Sequence, residues 1–587
     1  MYTAPLADIR FVLHELLADR SLEGLPGYPD YSADFADSVL AEAAQFAETI
    51  LAPTNATADA EGALWTSDGV LVPPSIKHAY QQFIDAGWPT LRGPATAGGQ
   101  GAPTILCTAV EELWASANLS FKLCHMLTSA AVESIEHCGS EDQRRLYLPK
   151  LVSGEWTGTM NLTEPHAGSD LALIRTRATL TPEGYRVIGQ KIFISWGDHD
   201  MADNVIHLVL ARIDGAPAGT KGISLFIVPK VLVGADGTLG ARNDVCCLSI
   251  ERKLGIHASP TCVMSYGDQG GATGYLVGEP NRGLEYIFIM MNAARLSVGL
   301  EGYAIGERAY QKAAAWASTR RQGRSVAMAR EQSSPVFIEN HPDVRRMLLS
   351  MRAPVEAARA LALYAALQLD LGAQATDTSQ RLSAQARGDL LIPIVKGWST
   401  EMGVEVASIG IQVHGGMGYV EDTGAAQLLR DARIGPIYEG TTGIQALDLI
   451  NRKIARDQGA ALFALLGDMR QELQALPTND QAQHTIRDEA LSALSALDHS
   501  AHALMRYLAS DMTQAQSIAV PFLKQCGLTM GGWLMAKADA LAAAGRGGSP
   551  EFLENKRFTA RFYATHLLPQ ATAWGRTVEL GANALTD

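Results

Sequence analysis

The hydrophobic period of this chain changes twice, and that double change limits its fold more than any single motif does. Residues 1 to about 155 repeat apolar side chains at helical spacing, as in FADSVLAEAAQFAETILAP and LTSAAVESIEHCGSEDQRRLYLPKLVSG, with Gly and Pro breaks between the runs. From about 156 the period drops to two and β-branched residues multiply, as in GYRVIGQKIFISWG, NVIHLVLARI, GISLFIVPKVLV and TCVMSYGD, separated by DG, AG and GG turns. After LVGEPNRGLEYIF helical spacing returns in long stretches, VRRMLLSMRAPVEAARALALYAALQL and KGWSTEMGVEVASIGIQV among them, which suit a helix bundle. The Ala-rich remainder, including ALFALLGDMRQELQAL, follows without a Pro/Ser linker and is expected to pack on that bundle. The pattern predicts a multi-domain protein, mainly α with a central β domain. Its expected parts are a helical domain over 1–157, an antiparallel β barrel or sandwich over 158–284, a bundle over 285–454 and a helical extension over 455–587. No repeat with a period of 20–50 residues is present.

A length of 587 residues exceeds what one core can organise. Lys+Arg 48 against Asp+Glu 62 gives a net charge of −14, which argues against a nucleic-acid partner but leaves room for a local basic pocket holding a phosphorylated cofactor. MYTAPLADIRFVLHELLADR carries acids and lacks a basic n-region before an apolar core, so it predicts neither a signal nor a transit peptide and a cytoplasmic location is expected. IFIMMNAA (287–294) is much shorter than a membrane span, so no integral membrane segment is expected. Seven cysteines, including the adjacent Cys246 and Cys247, match no CxxC pattern, and reduced thiols with no metal site are expected.

Five stretches carry residues suited to chemistry. In MNLTEPHAGSD (160–170), Thr163, Ser169 and the backbone around Ala167 and Gly168 can form a nest for phosphate or flavin oxygens, although a Gly-Ser turn is often only a turn. KIFIS (191–195) offers Phe193 to a flat ring and Ser195 as a donor; an aromatic in a strand equally reads as core. In STRRQGR (318–324), Arg320, Arg321 and Arg324 can hold a pyrophosphate or form a solvated basic face. QVHGGMGYVEDTG (412–424) allows close backbone approach to a ligand, but it follows a helix rather than a strand and is not a Rossmann fingerprint. His414 there reads as packed or solvated, since no GxSxG accompanies it. In GPIYEGTTGIQ (435–445), Glu439 is either an exposed loop residue or a desolvated, tuned base.

The order TEPxAGSD, KxFIS, an Arg-Gln-Gly helix end, QxxGGxGY and RDARIGPIYEGT closely resembles the acyl-CoA dehydrogenase family of flavoenzymes, over about residues 80 to 450. The resemblance implies a helical domain, a β barrel and a four-helix bundle, with FAD between the last two and across a homodimer interface. It places Met160, Leu162, Thr163 and Ser169 beside the isoalloxazine, with Phe193, Ile194 and Ser195 on its other side. Arg320 and Gln322 match dinucleotide contacts, Gln412, Gly415 and Gly416 the loop that meets the adenine of the other subunit, and Thr441 a phosphate contact. Ser169, Asn292, Arg295 and Gly440 match substrate contacts, and Glu439 matches the catalytic base. Phe193 stands where many relatives have Trp, Asn292 where they have Asp, and Gly443 where they have Gln.

The implied reaction is α,β-dehydrogenation of an acyl-CoA to a trans-2-enoyl-CoA. The base takes the α-proton, its own N–H meets the thioester oxygen, and the β-hydrogen leaves as hydride to the flavin. Electron-transfer flavoprotein is the implied acceptor. The extra C-terminal unit resembles a long bacterial subgroup that includes 3-methylmercaptopropionyl-CoA dehydrogenases and broad-chain members. The resemblance therefore points to 3-(methylthio)propanoyl-CoA or a short acyl-CoA, with a medium- or long-chain dehydrogenase, an oxygen-using acyl-CoA oxidase and a non-enzymatic flavin-fold scaffold as alternatives.

Overall fold

The computed structural model describes residues 2–18, 22–324 and 335–581, so the outer limits of the expected first and last domains, 1 and 587, lie outside the described residues. The chain gathers into two compact units, each drawn from separate segments: 1–48, 104–117 and 295–587 form one, and 49–103 with 118–294 form the other.

Among the described residues, the second unit holds all the strands. After a hairpin of β1 (Leu64–Thr66) and β2 (Gly69–Leu71) come β3 (Trp156–Asn161), β4 (Arg177–Thr181), β5 (Gly184–Ser195), β6 (Asn204–Ile213) and β7 (Ile223–Pro229). They are followed by β8 (Val231–Val233), β9 (Leu239–Arg242), β10 (Val245–Ile250), β11 (Thr261–Tyr266) and β12 (Ala272–Val277). Strand β5 pairs with β12, β12 with β7, β7 with β6, and β4 bridges β6 back to β5, which closes a small barrel. The barrel is not wholly antiparallel as expected, because β3 and β4 both run parallel to β6. A strand can run antiparallel to its neighbour through a tight turn, whereas parallel pairs need a long connection. The connections from β3 and β4 to β6, both of which include β5, supply that length. Two apolar clusters fill the unit, one on each side of the sheet, and the helix Leu119–Cys138 packs on β3. Gly158 permits that approach, since a Cβ there would lie 2.5 Å from the Ala131 methyl, and its N–H donates to Thr128 Oγ at 3.1 Å.

The first unit is helical. Its long helices are the 295–317 part of Gly283–Ala317, then Pro342–Gln374 and Thr378–His414. Gly283–Ala317 and Thr378–His414 meet backbone to backbone. A Cβ at Gly302 would come within 2.2 Å of the Ser399 carbonyl, one at Gly403 within 2.3 Å of the Gly302 carbonyl, and one at Gly299 within 3.1 Å of the Lys396 N. Any larger residue would separate the helices and, with them, the side chains that flank Glu439. The C-terminal helix Ala519–Ala543 lies on the bundle as expected: Leu523 fills the space above Gly397, and Gly527 and Gly531 admit the Trp398 ring. Tyr563 Oη donates to Leu528 O at 2.8 Å, and Trp533 meets Tyr364 edge-on at 5.3 Å between centroids.

Removing residues 460–587 would strip the cover from Trp398 and Ala357, which are buried in the full chain. An apolar face of that size leads to association. The shortened chain is expected to elute as aggregate and to lose bound flavin; a monodisperse, flavin-containing 1–459 protein would refute the packing role.

Candidate active site

Glu439 sits in the loop between Ala425–Ala432 and Thr442–Asp448, and its backbone is left-handed at φ 53°. A non-glycine residue adopts that conformation at a cost of about 1–3 kcal/mol, so its surroundings must hold it there. They do so from several sides. Lys396, on Thr378–His414, is buried, and its Nζ donates to Gly435 O at 2.9 Å and to Gly440 O at 2.6 Å. Gln445 Nε2 donates to the carbonyls of Glu439 at 3.0 Å and Gly440 at 3.2 Å, while the Tyr438 hydroxyl donates to the buried Glu301 carboxylate.

The Glu439 carboxylate itself is half-buried, and among the described residues neither it nor its backbone N–H makes a hydrogen bond. Burial pushes its pKa up to about 7; Arg295 and then Lys396 oppose the rise, and Glu301 adds to it. Arg295 is buried on Gly283–Ala317 and pairs with Asp448 at 3.2 Å, and its Nε has no partner among the described residues. Burial likewise lowers Lys396 to about 8, against the pull of Glu439 and Glu301. The arrangement is a carboxyl poised near neutrality, aimed by a braced loop and flanked by two cations. That is what proton abstraction from a weak carbon acid requires. Gly440 adjoins Glu439 at φ 86°, and Thr441 Oγ caps the next helix by accepting from Ile444 N at 3.3 Å.

Other expected cofactor contacts in this unit are exposed. Arg320 and Gln322 lie on an extended stretch paired with 336–338. Gln412, Gly415 and Gly416 stand at the end of Thr378–His414, and a Cβ on either glycine would meet nothing within 4 Å. His414 is packed: it stacks on Trp316 at 5.3 Å and bonds Gly410 O through Nδ1 at 2.7 Å. That stack brings the helix end before Arg320 to the helix end before Gly415. A separate cavity of about 300 Å³ is lined by Glu401, Arg433, Ile437, Thr441 and Gly443 among others.

The remaining candidates belong to the barrel unit, where two segments are joined side by side. Ile192 N donates to Thr163 O at 2.9 Å, and the buried Lys191 donates to Leu162 O at 3.0 Å and Glu164 Oε1 at 2.8 Å. Glu164 also accepts from Thr176 Oγ at 2.6 Å and from two backbone N–H groups, of Arg175 and Thr176. Burial would raise its pKa, but Lys191 and these donors outweigh that and hold it low. Between the pairs Lys191–Met264 and Ile194–Cys262 the register of β5 against β11 shifts, so two residues of β5 oppose one of β11. The bulge turns Phe193 outward at φ 59°, 60% exposed, which is how a strand re-aims a side chain. Met160 and Ser195 are half-buried, Leu162 and Ile194 are buried, and Ser169 is exposed. Asn292 is half-buried, one turn before Arg295 on Gly283–Ala317.

Lys396, Glu301, Tyr438, Asp448, Glu164 and Lys191 carry the geometry without having been singled out in the sequence. Glu164, Lys191 and Tyr438 stand inside quoted motifs. Lys396, in LLIPIVKGW, carries no local signal beyond being a cation in an apolar run.

Family models described as acyl-CoA dehydrogenase N-terminal, middle and C-terminal domains match residues 35–155, 159–268 and 281–454, and one described as acetyl-CoA dehydrogenase C-terminal like matches 465–587. A 3-methylmercaptopropionyl-CoA dehydrogenase of Ruegeria pomeroyi is 44% identical over 100% of this chain and 99% of its own. The broad-specificity linear acyl-CoA dehydrogenase FadE5 of Mycobacterium tuberculosis is 33% identical over 100% and 98%. An acyl-CoA dehydrogenase of Bacillus anthracis, solved in complex with FAD, shares the fold with a TM-score of 0.76 at 20% identity, covering 100% of this chain and 93% of that one.

Proposed function

The chain belongs to the acyl-CoA dehydrogenase family, and from that premise we propose that it oxidises a short acyl-CoA, 3-(methylthio)propanoyl-CoA or a C4–C6 homologue, to the trans-2-enoyl-CoA, with Glu439 as base. The observation that carries this reading is the Glu439 carboxyl, unbonded among the described residues and raised to about 7 between Arg295 and Lys396. Such a group is partly ionised at neutral pH and holds a proton once it takes one.

The family depends on FAD, and the residues present fit that group. The outward Phe193 ring offers a flat apolar face, and Gly415 and Gly416 leave their surroundings open. Met160, Leu162, Thr163, Ser169, Ile194 and Ser195 would hold the ring system, and Arg320, Gln322, Gln412 and Thr441 the dinucleotide. When bound, FAD supplies the two-electron acceptor for the β-hydrogen.

The chain supplies the rest. Glu439 takes the α-proton, its backbone N–H donates to the thioester oxygen as negative charge grows there, and the C–H electron pair becomes the Cα=Cβ bond as the β-hydrogen departs with its electrons. Ser169, Asn292, Arg295 and Gly440 are assigned to the substrate. Reoxidation falls to an electron-transfer flavoprotein; oxygen uptake matching turnover would make the protein an oxidase instead.

The substrate assignment draws on the full-length similarity to the Ruegeria pomeroyi protein and on chemistry. A thioether sulfur is nearly isosteric with a methylene, and one methylene is worth only about 1–3 kcal/mol of discrimination. Butyryl- to hexanoyl-CoA should therefore reduce the flavin within about one to two orders of magnitude of the methylthio substrate. Met126 and Leu127, buried on Leu119–Cys138, are the side chains assigned to limiting chain length. Anaerobic flavin reduction by acyl-CoA thioesters from C4 to C16, with 3-(methylthio)propanoyl-CoA included, tests the assignment. A rate climbing steadily to C16 would overturn it.

A further inference from the structure

We propose that Lys396 is a positioning residue for the base, clamping the Glu439 loop through the carbonyls on both sides of it. The inference rests on the reading of Glu439 as base. The clamp spans Gly435 to Gly440, so the left-handed Glu439 that presents the carboxylate is held between its two attachment points. The ammonium comes from the helix that Gly299, Gly302 and Gly403 seat directly against Gly283–Ala317, and it stays buried because loop carbonyls replace its water. Lys396 does two things to Glu439 at once. It holds the loop where neither the carboxylate nor the N–H is spent on protein contacts, and it places a positive charge beside the carboxylate.

The other charged or titratable groups facing this cluster are Arg295 and Glu301 from Gly283–Ala317, Glu401 from Thr378–His414, Tyr438 from the loop itself, Asp448, paired with Arg295, from Thr442–Asp448, and Arg452, which pairs with Asp448 at 3.6 Å. Removing the Lys396 charge leaves Glu301 opposed by Arg295 alone, which makes the base harder to ionise. The expected shift is therefore toward higher pH.

The test compares Lys396→Met, Lys396→Gln and Lys396→Arg holoenzymes by stopped-flow anaerobic flavin reduction with butyryl-CoA between pH 6 and 9. Lys396→Met and Lys396→Gln are expected to lose about 10²-fold in maximal rate, as a misplaced base does. Their pH midpoint should rise by about one unit, as expected for loss of a neighbouring opposite charge, with the butyryl-CoA Kd changed less than about threefold. Lys396→Arg keeps the charge but not the shape of the clamp, so it should restore the midpoint and only part of the rate. An unchanged rate and midpoint in Lys396→Met would overturn the proposal, as would a loss confined to butyryl-CoA affinity, or failure of both neutral variants to hold FAD. Glu439→Gln, run alongside, separates the two levels. Wild-type flavin reduction in that variant removes the base itself, whereas an inactive Glu439→Gln with an unaffected Lys396→Met removes only the clamp.

Discussion

Glu439→Gln is expected to lower flavin reduction by acyl-CoA by at least ~10³–10⁴-fold while FAD and acyl-CoA still bind. The amide fills the same volume but cannot accept the α-proton at neutral pH. Because the native carboxyl titrates near 7, reduction in the unsubstituted protein should rise with pH through about 7 and level off above it. The residual rate of the variant should show no such step. Stability offers an independent control. A carboxyl whose folded pKa lies above its unfolded value contributes stability that is fully present below the unfolded value, about 4.5, and is lost as pH rises through about 7. Above pH 7 the native protein therefore carries the cost of an ionised, poorly solvated Glu439 that the Gln variant escapes. The variant's melting temperature at pH 8 should equal or exceed that of the native protein. Near-native flavin reduction in Glu439→Gln would show that another group is the base.

Arg359→Met is expected to destabilise the protein by about 3–5 kcal/mol, the usual cost of leaving buried carboxylates without their cation. Arg359 is buried on Pro342–Gln374 and reaches three acids from different parts of the chain: Glu112 at 2.6 Å, Asp8 at 2.6 Å and Glu307 at 2.8 Å. Lys556 of the C-terminal extension joins the cluster through Asp8 and through Glu356 at 2.6 Å. Glu112 is the member most exposed to the loss. Burial already pushes it to about 7 even with Arg359 pulling it down, so without the guanidinium it rises further. By the same sign rule the Glu112 share of the Arg359→Met deficit should be small near pH 5 and grow toward pH 8, on top of a share from Asp8, whose carboxyl, despite its burial, Lys556 and Arg359 hold low and which is ionised at both values. The double variant Arg359→Met/Glu112→Gln should recover part of it, since the carboxylate to be orphaned is gone. Urea denaturation midpoints at the two pH values measure this, and a deficit independent of pH and unrelieved by Glu112→Gln would show that the charges are not what Arg359 stabilises.

Much of the fold was legible because its signals are local. The period of two in NVIHLVLARI became β6, and the helical period in KGWSTEMGVEVASIGIQV became part of Thr378–His414, since each side chain's face depends only on its neighbours along the chain. The pairing of β3 and β4 parallel to β6 was missed for the opposite reason. A strand's partner is chosen by connections and packing that alternation does not encode. The site divides the same way. TEPHAGSD and KIFIS announced themselves as motifs, yet the register shift that turns Phe193 out arises from a mismatch with β11 some seventy residues later.

Sequence alone therefore supplied the candidate base, Glu439, and the kinds of element around it. YEGT places one carboxylate in a short loop between helices, and no folding of that loop changes which residue it is. Tertiary structure decided whether that carboxylate is an acid of ordinary strength. Its proton affinity depends on desolvation and on charges within a few ångströms, and those charges come from Arg295, Glu301 and Lys396, 144, 138 and 43 residues away. Coulombic and desolvation energies follow distance in space rather than along the chain, so the same loop without the glycine-seated helices beneath it would carry an unremarkable glutamate.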